Sequence, residues 1–262
     1  MKLSISNIGW EAEDDSRVYE LMKKYGFEGL EIAPTRIFPN NPYCKLSAAK
    51  MWSENLIEQY GFVVPSMQSI WYGCQEKMFG SDSERQQLIE YTKMAVDFAS
   101  VIGCHNLVFG CPRNRNLPKS ADRNIGTDFF RTISDYAAEK GTVIGMEANP
   151  PIYNTNYIND TKSAFQLINS VNSAGFRLNL DVGTMVENRE NVAELEGKVC
   201  LINHVHISEP GLKTIEKRQL HRSLWQLLNS EGYDRFVSIE VGKTADIRKL
   251  EEQMDYVREI FG

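Results

Sequence analysis

The 262-residue sequence predicts a single-domain α/β fold, a (β/α)8 TIM barrel. Three observations point there. Short β-like runs alternate with longer segments of helical period; eight such run starts can be placed; and they fall about 33 residues apart, the length of one βα unit. No Ser/Gly-rich linker or charge block interrupts residues 1–262, so one domain is expected throughout.

The units can be justified in order. The first run begins near Leu3, and Tyr25-Gly26 is a helix stop before the second, near Leu30. The third begins near Phe62. Ser81-Asp-Ser-Glu84 then has the form of a capping box, opening a helix whose Leu88, Thr92, Ala95, Val96, Ala99 and Ile102 fall on one face. A fourth run starts near Asn106, Lys140-Gly141 stops the next helix, and the fifth starts near Val143. Asn159-Asp-Thr caps the helix leading to the sixth run, near Phe176; the seventh and eighth start near Ile202 and Phe236. Ile247, Leu250, Met254, Val257 and Phe261 form a last core-facing stripe.

Composition narrows the function. A hydrophobic content of 42% fills a sizeable core, and a formal net charge of -6, with 29 basic and 35 acidic residues intermixed, provides no polybasic tract for nucleic acid or an anionic membrane. The five cysteines, Cys44, Cys74, Cys104, Cys111 and Cys200, contain no Cys-x-x-Cys pair and read as free thiols. With no apolar leader or membrane-length stretch, a cytoplasmic protein is expected.

The last four runs each close on a residue able to bind a divalent metal: Val143-Ile-Gly-Met-Glu147, Phe176-Arg-Leu-Asn-Leu-Asp181, Ile202-Asn-His-Val-His206 and Phe236-Val-Ser-Ile-Glu240. Any one alone would read as a solvated charge or an ion pair; four together are hard to ascribe to chance. In a barrel of this kind, catalytic groups sit at the C-terminal ends of the strands. Three carboxylates and an imidazole suit one divalent ion, with Mn²⁺ placed first and Mg²⁺, Co²⁺ or Zn²⁺ also accommodated.

Further candidates surround this set. Trp10 and Trp71 follow the first and third runs and could form the apolar wall of a ligand site, or simply pack. Gln68, Asn7 and Glu209 could contact hydroxyls. His204 shares parity with His206 and should point inward one layer lower, as a substrate contact or a hydrogen-bonded core residue. Glu31 could bond a hydroxyl or pair with Arg177. Arg113, Arg115 and Lys119, on the loop after the fourth run, could receive a phosphate or carboxylate, or be solvated charges.

The segments Met146-Glu-Ala-Asn-Pro150, Leu180-Asp-Val-Gly183, His204-Val-His-Ile-Ser-Glu209 and Ser238-Ile-Glu-Val241 resemble the xylose-isomerase-like barrels, a superfamily of ketose 3-epimerases, hydroxypyruvate isomerase, inosose dehydratase and the endonuclease IV type. Leu3-Ser-Ile-Ser-Asn-Ile-Gly9 and Gly26-Phe-Glu-Gly-Leu-Glu-Ile32 resemble its first two strands. The resemblance implies one metal ion on Glu147, Asp181, His206 and Glu240, with Glu147 and Glu240 as catalytic acid and base. It also implies a small sugar or sugar-derivative substrate, handled by an epimerase or isomerase; the oligomeric state, homo-oligomer included, is left open. A metal-dependent dehydratase of a cyclic polyol ketone and a non-catalytic sugar-binding barrel are the alternatives. Thr184 stands where ketose epimerases commonly carry a histidine, and Lys213 lies where an arginine is often found. The four histidines, His105, His204, His206 and His221, are too few near the site for the endonucleases' trinuclear zinc centre.

Overall fold

A computed structural model describes residues 1–262. Seven parallel strands form one sheet: β1 Lys2–Ser6, β2 Gly29–Glu31, β3 Leu107–Phe109, β4 Ile144–Met146, β5 Phe176–Asp181, β6 Ile202–Ile207 and β7 Phe236–Ile239. Around it run α1 Asp15–Lys24, α2 Pro34–Ile37, α3 Leu46–Tyr60, α4 Asp82–Val101, α5 Asn124–Glu139, α6 Thr161–Val171, α7 Val182–Asn188, α8 Gln219–Ser230 and α9 Ile247–Phe261. No helix is long and apolar enough to cross a membrane.

The expected third strand is the one departure. The run from Phe62 makes only isolated bridges, Gly29↔Val63, Ile32↔Met67 and Met67↔Leu107. Pro65 explains this, because a proline has no N–H to give the ladder. The segment nevertheless closes the ring between β2 and β3: Leu30 N–H donates to Val63 O at 2.9 Å, Met67 N–H to Asn106 O at 2.9 Å and Val108 N–H to Met67 O at 2.8 Å. Its close approach needs Gly29, where a Cβ would lie 2.8 Å from the Pro65 ring and 2.7 Å from Phe236. The remaining runs are β1, β2 and β3 to β7, and the sheet order β2-β1-β7-β6-β5-β4-β3 is that of a barrel in chain order around this seam.

Helix boundaries follow the local chemistry. Ser81 and Glu84 make a reciprocal capping box on α4, and Asp160 caps α6 with Ser163 as its reciprocal partner. Gly26 and Gly141 take φ of 72° and 75° just past α1 and α5, a conformation open to glycine at little cost. The α4 stripe and the α9 stripe are both buried, each fully buried Leu, Ile or Phe stabilising the fold by about 1.5–3 kcal/mol.

Strand parity sets the barrel interior. In-register partners share a face, and the pairs Ser6↔Glu31, Ser4↔Ser238, Asn179↔His204, Asp181↔His206 and His206↔Ser238 are all polar. Leu3, Ile5, Leu178, Leu180, Val205, Ile207, Val237 and Ile239, of opposite parity, join the hydrophobic core. The space that branched aliphatic layers usually fill in such barrels is here a polar column leading to the strand ends.

Candidate metal centre

Glu147 directly follows β4, its N–H donating to Phe109 O at 3.1 Å; Asp181 ends β5; His206 is the penultimate residue of β6; Glu240 directly follows β7, its N–H donating to Ile207 O at 3.0 Å. The sheet thus delivers four side chains to one place, with one ligand atom from each within 4.8 Å of every other. His206 Nδ1 lies 3.1 Å from Glu147 Oε1 and 3.2 Å from Glu240 Oε2.

Each side chain is held by neighbours. Glu147 accepts from Asn179 Nδ2 at 3.0 Å and from Asn149 Nδ2 at 3.1 Å. Gly110 makes room for it, since a Cβ there would sit 2.8 Å from Glu147 Oε2. Asp181 caps α7 by accepting from Thr184 N–H at 2.8 Å, and Ser208 Oγ donates to its other oxygen. Thr184, the residue in place of a histidine, is buried, with its hydroxyl 2.8 Å from both Asp181 Oδ2 and Ala148 O. His206 Nε2 lies 2.8 Å from Glu31 Oε2.

The electrostatics fit a cation. Burial raises Glu240 to about 7, with repulsion from Glu147 and Asp181 adding to it, and burial together with Glu147 also raises Asp181. For His206 burial works the other way, but Glu31, Glu240 and Glu147 surround the ring and hold it well above its ordinary value. Three carboxylate groups and one imidazole nitrogen converging on a single point are a hard donor set, and a divalent ion there would relieve the repulsion that keeps protons on the site. Loading should therefore expel protons from Glu240 and His206. At pH 7, calorimetry in buffers of different ionisation enthalpy should show proton release on Mn²⁺ binding, and the apparent affinity should fall as the pH drops below about 7, where Glu240 is increasingly protonated. Affinity independent of pH between 6 and 8 would contradict this ligand set.

A cavity of about 200 Å³ opens over these residues. That is small beside the roughly 300–1,000 Å³ of drug-sized ligand sites and suits a compact molecule. Of the residues expected to bind substrate, Gln68 and Glu209 line it. Gln68 Nε2 is turned to Ser6 Oγ and Glu31 Oε1, and Glu209 is held on both oxygens by Arg218, at 2.7 and 2.6 Å.

The others lie elsewhere. Trp10 is fully buried with its indole N–H donating to Asp15 Oδ1 at 2.7 Å, and Trp71 is buried against Phe109 and Phe129, donating to Thr92 Oγ1 at 2.8 Å. Neither walls the cavity. Arg113 and Lys119 are exposed on the loop surface, and Lys213 on a different loop. Arg115 turns inward but away from the cavity, fully buried, donating to Glu147 O at 3.0 Å and Asn149 Oδ1 at 2.9 Å. It fixes the amide that holds Glu147 and contacts no ligand space. His204 is buried beneath the centre, 3.1 Å from Glu31. Asn7 Oδ1 accepts from Ala33 N–H at 2.9 Å, and Arg177 bonds the carbonyls of Ser173 and Phe176 rather than Glu31.

Four contributors escaped the sequence reading: Asn149, Asn179, Ser208 and Tyr153. Three stand two residues from a candidate ligand, so their parity with Glu147, Asp181 and His206 is a usable signal. Tyr153, on a short turn after β4, carried none. Its hydroxyl accepts Gly211 N–H at 2.9 Å and lines the cavity.

Residues 19–260 match the family described as the xylose isomerase-like TIM barrel. No curated protein sequence matches the chain. Among solved structures, apo 3-keto-D-glucoside 4-epimerase YcjR from E. coli superposes with a TM-score of 0.79 at 19% identity, covering 99% of each chain. D-psicose 3-epimerase from Clostridium cellulolyticum H10 with D-tagatose gives 0.78 at 18% identity, over 100% of this chain and 99% of that one. The IolI protein with a bound zinc atom gives 0.72 at 18% identity, over 99% and 96%.

Proposed function

The chain belongs to the xylose isomerase-like TIM barrel family, and on that premise we propose that it is a divalent-metal-dependent epimerase or isomerase of a neutral sugar or sugar derivative. The observation that carries this reading is the convergence of Glu147, Asp181, His206 and Glu240, with the three carboxylates lining a small cavity and the two glutamates arriving from β4 and β7, the outer strands of the four that build it.

A divalent ion on these four residues would polarise a carbonyl and its neighbouring hydroxyl as a Lewis acid, making the intervening carbon-bound proton removable. Manganese is proposed first, because three oxygens and one nitrogen favour Mn²⁺, Mg²⁺ or Co²⁺; Zn²⁺ remains compatible with the set. The proton work falls to the carboxylates. One of Glu147 and Glu240 takes the proton, and the other returns one to the opposite face of the same carbon, which inverts it. Return by a single glutamate to the adjacent carbon gives aldose–ketose isomerisation instead. Asn149 and Asn179 keep Glu147 aimed. Tyr153, whose oxygen already accepts the Gly211 amide, has its own hydrogen to donate to a substrate hydroxyl.

Substrate charge follows from where the cations lie. No Lys or Arg lines the cavity, and Arg218, beside it, is bound to Glu209 and Glu216. A phosphate or carboxylate would meet acidic residues, whereas a neutral polyol meets amide and hydroxyl groups. This replaces recognition of an anion by Arg113, Arg115 and Lys119. The test is product analysis by NMR with Mn²⁺-loaded protein on neutral ketoses and keto-glycosides and on their phosphorylated or acidic counterparts. Conversion of a neutral compound to its epimer or isomer is expected; conversion of anionic compounds alone would refute the neutral-substrate reading, and a dehydrated product would replace epimerisation with elimination.

A further inference from the structure

We propose that Glu31 is a positioning residue for the metal centre, acting through His206, an inference that rests on the metal-binding reading above. Glu31 ends β2, three strands from β6 around the sheet, yet its side chain crosses the barrel and is wholly buried beneath the site. It neither lines the cavity nor pairs with Arg177. Its Oε2 lies 2.8 Å from His206 Nε2 and 3.1 Å from His204 Nε2, while its Oε1 accepts from Gln68 Nε2 at 3.2 Å. Gln68 is itself tied to Ser6 Oγ at 2.8 Å.

The consequence is a choice of tautomer. An ionised carboxylate can only accept, so a ring nitrogen at hydrogen-bond distance from it must carry the proton. Nδ1 also faces carboxylates, Glu147 and Glu240, so without a cation both ring nitrogens of His206 hold protons; an ion held by Glu147, Asp181 and Glu240 would displace the proton on Nδ1, and the one that Glu31 keeps on Nε2 leaves the Nδ1 lone pair directed at that ion. The same contact sets the plane of the ring. A carboxylate behind a metal-binding histidine raises its basicity and commonly accounts for about 10–100-fold in metal affinity. Glu31, His204 and His206 are also close enough together to serve as three ligands, so occupancy by a second ion is the competing use of the same atoms.

Two measurements decide. In histidine-¹⁵N-labelled full-length protein loaded with Zn²⁺, which is diamagnetic, long-range ¹H–¹⁵N NMR should show His206 with Nε2 protonated and Nδ1 free of hydrogen. In Glu31→Gln, calorimetric titration with Mn²⁺ should give a Kd raised by about 10–100-fold, while the wild type binds one ion per chain. A purely structural glutamate would lower Tm and leave the Kd of the folded protein unchanged, and that result would overturn the proposal, as would an Nδ1-protonated His206 or two ions per chain. Should the variant fail to fold, the wild-type tautomer decides alone. Absence of binding to the wild type would overturn the metal centre itself and this role with it, an outcome distinct from tight wild-type binding with an unaffected variant.

Discussion

Glu147→Gln and Glu240→Gln should each lower turnover by about 10²–10⁴-fold, the usual contribution of a general acid or base, while leaving the fold intact. The amide is nearly isosteric, and each glutamate keeps 11–12% of its side chain open to the cavity, so neither change empties core volume. Glu147→Gln retains an oxygen for Asn179 or Asn149 but cannot satisfy both as the carboxylate does. Far-UV circular dichroism and steady-state rates on a substrate found by product analysis would check this. Near wild-type turnover in either variant would remove that glutamate from the proton transfer.

Asp181→Ala should be more damaging than loss of a supporting contact, because one carboxylate has two duties. It would contribute a ligand between Glu147 and His206, and it caps α7. Metal affinity should fall by more than the roughly 10–100-fold typical of a residue that merely supports a ligand. Stability should fall by about 0.5–2 kcal/mol for the lost cap, with the Ser208 hydroxyl and Thr184 amide left without their acceptor. Calorimetric titration with Mn²⁺ and urea denaturation of the metal-free proteins separate the two effects. Unchanged affinity would exclude Asp181 from the site.

The barrel was legible because its βα rhythm depends on local periodicity and on caps such as Ser81 and Asp160, whose chemistry lies within a few residues of itself. The third strand was misread for the same reason: Phe62-Val-Val is a good β run, and only the neighbouring Pro65 marks how little of a ladder it can form. The four strand-end side chains could be grouped in advance because strand ends share one rim of a barrel. Side-chain direction on loops was not accessible. Arg113 and Arg115 are two residues apart, one exposed and one fully buried, and the buried one is held by the carbonyls of Glu147 and Ile158, groups that every residue possesses and no sequence pattern marks. Trp10 and Trp71 likewise follow barrel segments as expected, but their polar partners, Asp15 and Thr92, lie on the helices and draw the rings out of the cavity. Glu31 offered two readings in sequence, and the fold supplied a third by bringing β2 opposite His206.

The most direct test of the central claim is exchange of a carbon-bound proton with solvent. Neutral ketoses and keto-glycosides would be incubated in D₂O with the Mn²⁺-loaded protein, with the chelator-treated protein and with Glu147→Gln and Glu240→Gln, and deuterium beside the carbonyl read by NMR. The account predicts incorporation at one carbon of a neutral substrate with the loaded wild type, and none after metal removal. Stoichiometric metal binding without exchange into any neutral sugar, or exchange that persists undiminished after metal removal, would contradict it.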